Sequence, residues 1–315
     1  MPVFRGGRVA LAEFVSKLAM GVRELRRSAD VEIHERVDLR AWTALGVGGV
    51  ATMVARCRSA SGVLATLDLA SSHGLAWLTL GGGSRIITPD GGIVVPVLSL
   101  TGELARWESD LGGIVAGGGA NLAQVCRAAV RNGLIGLDAA GSDSGTVGGL
   151  VVAGAAGVVD LAGTIDWVEL QRPGAAVERW RATDDRPVPR IDELHRRVVV
   201  RARFRLRPWA GLEPRPRTEL PRPSRAVRAT GPVFLDPLDA TAADLLAEAG
   251  CSGMTVGGAR LGGEGSNELV AGRSATSADV LSLCRRGRDR VAEVTGVTLN
   301  PALVFVDEWG REIAL

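Results

Sequence analysis

Four glycine-rich loops, each placed against an apolar run, constrain this chain more than any other feature: "TALGVGGVA" (43–51), "LGGGSR" (80–85), "AGGGAN" (116–121) and "GSDSGTVGG" (141–149). Adjacent glycines let something large approach the backbone, and they expose N–H groups that cradle phosphate oxygens without a cation. Any one such loop is ordinary turn punctuation after a strand. A set of four suits a long diphosphate ligand better than a single phosphate. Neither GxGxxG between a strand and a helix nor the Walker spacing ending in Gly-Lys-Ser/Thr is present. What remains is a nucleotide held by a different loop grammar.

The segments between the loops read as alternating strands and helices. "SASGVLATLDLASSHGLAWLTLGGG" gives a helix, a turn at His73-Gly74 and a buried strand running into glycines. "GGIVAGGGANLAQVCRAAVRNGLIGLDAAGS" gives strand, glycines, helix and turn. Over 164–206, "TIDWVELQRPG" and "VVVRARFRLRP" alternate apolar and polar residues, as half-buried strands do. At 207–223 five prolines sit among arginines, the composition of a linker or extended crossover. Beyond it lie the helices "TAADLLAEAG" and "ATSADVLSLCRRGRDRVAEVTG", the second starting near Ser277 or Asp279 and ending at Gly296, then a strand "ALVFVDEWG". The expected order is therefore a helical extension (1–33), two α/β glycine-loop units (34–98 and 99–206), a linker (207–223) and a smaller α+β domain (224–315).

With 46% apolar and 23% charged residues the chain has a soluble globular profile, and a net charge of +2 gives no reason to expect a nucleic-acid partner. The positive charge is almost all arginine, Lys17 being the one lysine, and the absence of tyrosine removes one candidate proton donor. Cys57, Cys126, Cys251 and Cys284 lack CxxC or Cys/His spacing, so buried free thiols in a reducing compartment are expected, without a metal site. Glu13 and Lys17 interrupt the apolar N-terminal stretch, which continues at helical spacing into "VRELRR"; an amphipathic helix is expected there rather than an export signal. No segment has the uninterrupted apolar length of a membrane span, and a cytoplasmic location is expected.

The order of the loops resembles the UDP-N-acetylenolpyruvoylglucosamine reductase family, flavoenzymes of peptidoglycan synthesis. That family's Thr-Phe-Gly-(Ile/Val)-Gly-Gly start is matched by "TALGVGG", its Leu-Gly-Gly-Gly-Ser-Asn loop by "LGGGSR" and its Gly-Ala-Gly loop by "AGGGAN". A flavin-side stretch is matched at equal length by "GLIGLDAAGSDSGTVGG", and the family's third domain by "VGGARLGGEGSNELVAGRSATSADVLSL". The likeness covers nearly all of residues 36–308. It implies an α+β architecture: a two-subdomain FAD-binding fold of the vanillyl-alcohol oxidase type, plus a smaller α+β C-terminal domain. On this resemblance Gly46, Gly48, Gly49, Gly81, Gly82, Gly83 and Ser84 face the FAD diphosphate and adenosine side. Thr146, Val147, Gly148 and Gly149 lie near the flavin, and Gly117 and Gly119 belong to the second subdomain. NADPH is the implied electron donor and a small, nucleotide-linked molecule the implied substrate.

The residues that the resemblance implies for proton transfer are replaced. The family's Gly-Ser-x-Phe-Lys-Asn-Pro reads "GPVFLDP" (231–237), with Pro232 at the serine and Leu235 at the lysine. The late glutamate falls on Ala302 in "NPALVF", and another lysine position carries Glu264. In the flavin-side motif Ile-Pro becomes Asp143-Ser144, and an Asn-Ala-Gly-Ala-Tyr run becomes "GAAGVV". The Tyr-Arg-x-Ser element has no clear counterpart in "RWRATDDRPVPRIDELHRR", where Arg186 and Arg190 are alternative substitutes for its arginine. Asp143, Asp236, Glu264 and His195 are the acid–base candidates, each with a plainer reading: a turn cap for Asp143, ordering of "LDP" for Asp236, a solvated loop charge for Glu264 and a surface side chain for His195. Three functions stay open: a flavin-dependent oxidoreductase acting on a different, specialised-metabolism substrate; a non-catalytic flavin- or nucleotide-binding paralogue working through a protein partner; and a peptidoglycan-pathway reductase with compensating residues.

Overall fold

The computed structural model describes residues 20–23, 25–110, 112–137, 145–209 and 228–315. Asp143, most of the N-terminal extension and most of the Pro/Arg-rich stretch lie outside the described residues. Residues 20–23 are helical. Strand β1 (Val31–Asp38) already begins at Val31, so the helical reading of the N-terminal stretch ends before it.

The first unit is a four-stranded sheet backed by one helix. β1 pairs antiparallel with β2 (Val50–Cys57) in the register Val31 to Cys57. Helix α1 (Ala60–Ser72) starts where Ser59 accepts from Gly62 N at 3.2 Å and stops at His73-Gly74, with Gly74 at φ 65°. β3 (Leu78–Thr79) follows, as the alternation of elements leads one to expect, and then the short β4 (Ile86–Ile87) and β5 (Val97–Leu100). The sheet order is β1-β2-β5-β3, with β5 parallel to both neighbours.

The second unit holds β6 (Trp107–Asp110), β7 (Gly113–Gly117), α2 (Leu122–Arg131), β8 (Leu134–Ile135), α3 (Val147–Ala155), β9 (Ile165–Gln171), β10 (Glu178–Arg181), α4 (Ile191–Leu194) and β11 (Val198–Arg205). Its antiparallel sheet runs β10-β9-β11-β7-β6. The alternation in "VVVRARFR" sets the two faces of β11. Ala202 and Phe204 are fully buried, while Arg203 and Arg205 point to the opposite face. The stretch expected to be a linker starts as structure: β12 (Arg207–Pro208) pairs with β8, and Trp209 N donates to Gly133 O at 2.8 Å. Proline is tolerated there because the pair is only two residues long.

The third unit comprises β13 (Arg228–Pro232), α5 (Ala242–Glu248), β14 (Thr255–Val256), β15 (Ala259–Leu261), β16 (Glu268–Ala271), α6 (Ser277–Thr295), β17 (Val304–Val306) and β18 (Glu312–Ile313). Thr276 and Asp279 form a capping box on α6, and Gly296 at φ 73° ends it. β13-β16-β15-β14 form an antiparallel sheet, whereas β17 leaves the unit and pairs parallel with β4. Leu45, Val47 and Ile87 of the first unit are buried in the same apolar cluster as Phe234, Leu283 and Phe305. The interface between the units is therefore a core rather than a hinge. All four cysteines are free and buried, and burial raises the thiol pKa of Cys57 to about 11 and of Cys284 to about 12.

On the open face of the second sheet, Asp166 accepts from Arg203 at 2.6 Å and from Arg205 at 3.0 Å. Burial alone would raise its pKa, but the two guanidinium hydrogen bonds outweigh it and hold the carboxyl below the usual range. Because the folded-state pKa is depressed, the pair stabilises the fold above the unfolded pKa and loses that effect as pH falls through the folded value. Asp166→Asn is expected to cost about 1–2 kcal/mol at pH 7. In urea titrations the gap to the parent should narrow as pH drops below about 4; a gap independent of pH would refute the assignment.

Candidate cofactor and substrate site

The loop after the 3-10 turn Leu39–Ala41 is closed by Thr43, whose Oγ1 donates to Val47 O at 2.8 Å. Gly46 and Gly48 have φ of 64° and 118°, where side chains are strained. Ala44 N donates to Gly83 O at 2.9 Å and so docks this loop on the next one. A Cβ on Gly83 would lie 2.1 Å from Trp42 O, and one on Gly81 would lie 2.3 Å from Thr146 Oγ1. That hydroxyl caps α3 by accepting from Gly149 N at 3.3 Å. A Cβ on Gly145 would in turn lie 3.5 Å from Ser84 Oγ. Three of the four loops thus meet at Gly81–Ser84.

The loops differ in where their amides go. Gly117, Gly118 and Gly119 donate to Arg106 O, Val200 O and Leu104 O at 2.8–2.9 Å. At the start of α3, Val147 N and Gly148 N donate to Ala120 O (3.0 Å) and Gly118 O (2.7 Å). Gly49 N donates to Pro89 O at 2.9 Å. These glycines are needed because chain packs on chain; a Cβ on Gly119 would lie 2.2 Å from Leu100 O. Among the described residues the amides of Gly81, Gly82, Gly83 and Ser84 make no hydrogen bond. Four successive N–H groups without a partner are what an anion cradle requires.

One polar group was missed by sequence reasoning. Thr88 is fully buried, its Oγ1 has no partner among the described residues, and it faces Gly48, whose Cβ would sit 2.3 Å away. A buried hydroxyl without a partner is costly unless a ligand meets it. The "TPDGG" turn (88–92) was the available signal, and it reads there only as a turn. Together the amide cradle, the orphaned hydroxyl and the space left by absent side chains fit a diphosphate-linked dinucleotide such as FAD.

The positions that the family resemblance assigns to proton transfer also converge. Ala302 N donates to Val233 O at 2.8 Å, next to Pro232, and Leu235 N donates to Asn300 O at 2.8 Å. Asn267 clamps the same segment by accepting from Phe234 N at 3.1 Å and donating to Phe234 O at 2.7 Å. Ala302 is buried and Pro232 exposed at the end of β13.

Of the catalytic candidates, Asp236 follows Leu235 in this segment, while Arg186, Arg190 and His195 surround α4 of the second unit. Arg186 pairs with Glu193. The Arg190 backbone N–H and the Arg186 guanidinium hold the Glu193 carboxyl below its usual range. Arg190 also pairs with Asp192 at 3.4 Å and caps α4, and His195 is exposed at the other end of that helix. Asp236 accepts from Ala242 N at 2.7 Å at the start of α5, and Glu264 is an exposed turn residue. Among the described residues, no group of three His, Cys, Asp or Glu is placed to hold a metal.

This fold, with these loops, defines an FAD-binding protein of the vanillyl-alcohol oxidase type carrying a separate C-terminal domain. Residues 51–170 match the FAD binding domain profile, and residues 222–306 match that of the UDP-N-acetylenolpyruvoylglucosamine reductase C-terminal domain. The UDP-N-acetylenolpyruvoylglucosamine reductase of Heliobacterium modesticaldum is 30% identical over 86% of this chain and 90% of its own. Reductase 2 of Symbiobacterium thermophilum is 32% identical over 94% and 98%. The crystal structure of the reductase from Thermus caldophilus superposes with a TM-score of 0.66 at 24% identity, over 87% of this chain and 98% of that one. The chain belongs to the UDP-N-acetylenolpyruvoylglucosamine reductase family.

The two kinds of glycine should respond differently to alanine. Gly119→Ala drives a methyl into the Leu100 carbonyl and is expected to cost about 1–3 kcal/mol of stability in urea. Gly81→Ala displaces the Thr146 cap at about 1 kcal/mol, and it should reduce FAD uptake far more than that loss explains. Normal FAD affinity in Gly81→Ala would remove this loop from the cofactor site.

Proposed function

We propose that this protein is an FAD-dependent oxidoreductase of the reductase family, acting on a small molecule other than the enolpyruvyl nucleotide, with NADPH as electron donor. The observation that carries the reading is the juxtaposition of Pro232 and Ala302 through the Val233–Ala302 hydrogen bond. The family's proton-donor and carboxylate positions are held side by side, but neither side chain has a proton to exchange. Bound FAD supplies a two-electron hydride carrier. The residues of this chain supply the rest. With FAD bound, the amides of Gly81–Ser84 would hold its diphosphate, Thr146 and the start of α3 would serve the flavin end, and Pro232, Leu235 and Ala302 would offer the substrate apolar side chains. A cytoplasmic location belongs to the same proposal, motivated by four buried free thiols. Among the described residues no helix is long and apolar enough to cross a membrane.

A second reading, a non-catalytic flavin-binding paralogue, is favoured by one observation: Arg186, Arg190 and Asp236 are engaged in local ion pairs and caps. The visible spectrum of the purified protein before and after anaerobic NADPH separates the two. A flavin spectrum that bleaches supports the oxidoreductase, and a bound flavin that NADPH leaves oxidised favours the paralogue. Pro232→Ser combined with Ala302→Glu should raise NADPH turnover with UDP-N-acetylenolpyruvoylglucosamine above a parent near background. A parent that already turns over that substrate briskly would refute the altered-substrate proposal.

A further inference from the structure

Arg228 opens β13 and reaches out of the third unit into the first. Its Nη1 donates to Gly46 O at 3.1 Å. A Cβ on Gly46 would lie 1.9 Å from that nitrogen and 2.4 Å from Cζ, so the guanidinium lies directly against the glycine. The same loop is docked on the amide cradle through the Ala44–Gly83 hydrogen bond.

Among the described residues, the Arg228 side chain makes no ion pair and no hydrogen bond besides the one to Gly46. The acids around the first loop are engaged elsewhere: Asp38 binds Arg40, and Asp90 accepts from Ser277 N and Ala278 N at the start of α6. Arginine has five N–H donors in a fixed fork that matches paired phosphate oxygens. One donor on a neutral carbonyl orients the fork and leaves the others available. The loops themselves, residues 43–51 and 80–85, contain one cationic side chain, Arg85 at the end of the second, and it is engaged in an interaction of its own. Backbone amides satisfy the oxygens of a diphosphate but carry only partial charges against its negative charge.

We infer that Arg228 is the charge partner of the cofactor's diphosphate, supplied to the first unit's loops by the C-terminal domain. The inference rests on the reading that FAD lies on the glycine loops. It makes Arg228 a cofactor-binding residue, and it means that FAD is held from both sides of the domain boundary.

The test is titration of the full-length, flavin-free protein with FAD and, separately, with riboflavin, which has the isoalloxazine ring but no phosphate. Arg228→Gln is expected to weaken FAD binding roughly 10- to 100-fold and leave riboflavin binding unchanged. Arg228→Lys should fall between, and the salt dependence of FAD binding should be shallower in the Gln variant. Arg228→Met keeps the aliphatic stem against Gly46 and replaces the Gln variant if that one melts early. Unchanged FAD affinity overturns the inference. Equal weakening of FAD and riboflavin also overturns it, because Arg228 would then merely prop the loop. A parent protein that binds FAD no better than riboflavin overturns the underlying reading of the loops, a result visible before any variant is made.

Discussion

The close approach of backbone to backbone at the glycine loops is the constraint on which the remaining structure depends. Gly83 lies against the Trp42 carbonyl, Gly81 against Thr146, and Gly119 against the Leu100 carbonyl, all at separations that admit no Cβ. These contacts fix the end of the first sheet against α2 and α3 of the second unit. Chain-on-chain packing thus sets where the loops lie, and loops held by the protein itself leave less ordering entropy for a ligand to overcome.

The C-terminal domain holds this arrangement from the far side. The turn after β4 is gripped by the start of α6: Ser277 Oγ donates to Thr88 O at 2.7 Å, and Ser277 N donates to the Asp90 carboxylate at 2.8 Å. Strand β17 adds itself to β4, and Leu45, Val47 and Ile87 fill the C-terminal core. The segment bearing Pro232 and the one bearing Ala302 belong to that same domain. Their position relative to the glycine loops is thus set by buried apolar area and a helix cap, neither of which depends on the identity of residues 232 and 302.

Much of this was legible in the sequence, because its signals are local. The helix start at Ser277 and its stop at Gly296 follow from capping chemistry, and the alternation around Phe204 sets the faces of β11. What escaped depends on partners far along the chain. The pairing of β12 with β8 turned the start of an apparent linker into a strand. Arg228 stood out in no way from the arginines around it until Gly46 was seen beneath it, 182 residues away. "LGGGSR" and "AGGGAN" look alike as sequence, yet the amides of Gly117–Gly119 bond to neighbouring backbone while those of Gly81–Ser84 do not. Composition cannot separate a packing glycine from a ligand-facing one; only the destination of its N–H does.

That distinction bears on how such a chain could change its chemistry. A cofactor held by backbone amides is indifferent to most side-chain substitution, since every residue except proline carries the same donor. Proton transfer, by contrast, depends on one atom of one side chain, and serine to proline removes it outright. The cradle also carries its own argument for a ligand. Each glycine costs about 0.5–1 kcal/mol of conformational entropy relative to alanine. An unpartnered buried hydroxyl such as that of Thr88 costs about 1–3 kcal/mol more. Together these terms are a sizeable fraction of a domain's net stability. A ligand that bonded to these groups would offset them, so the unpartnered amides of Gly81–Ser84 and the Thr88 hydroxyl are themselves the argument for a bound molecule.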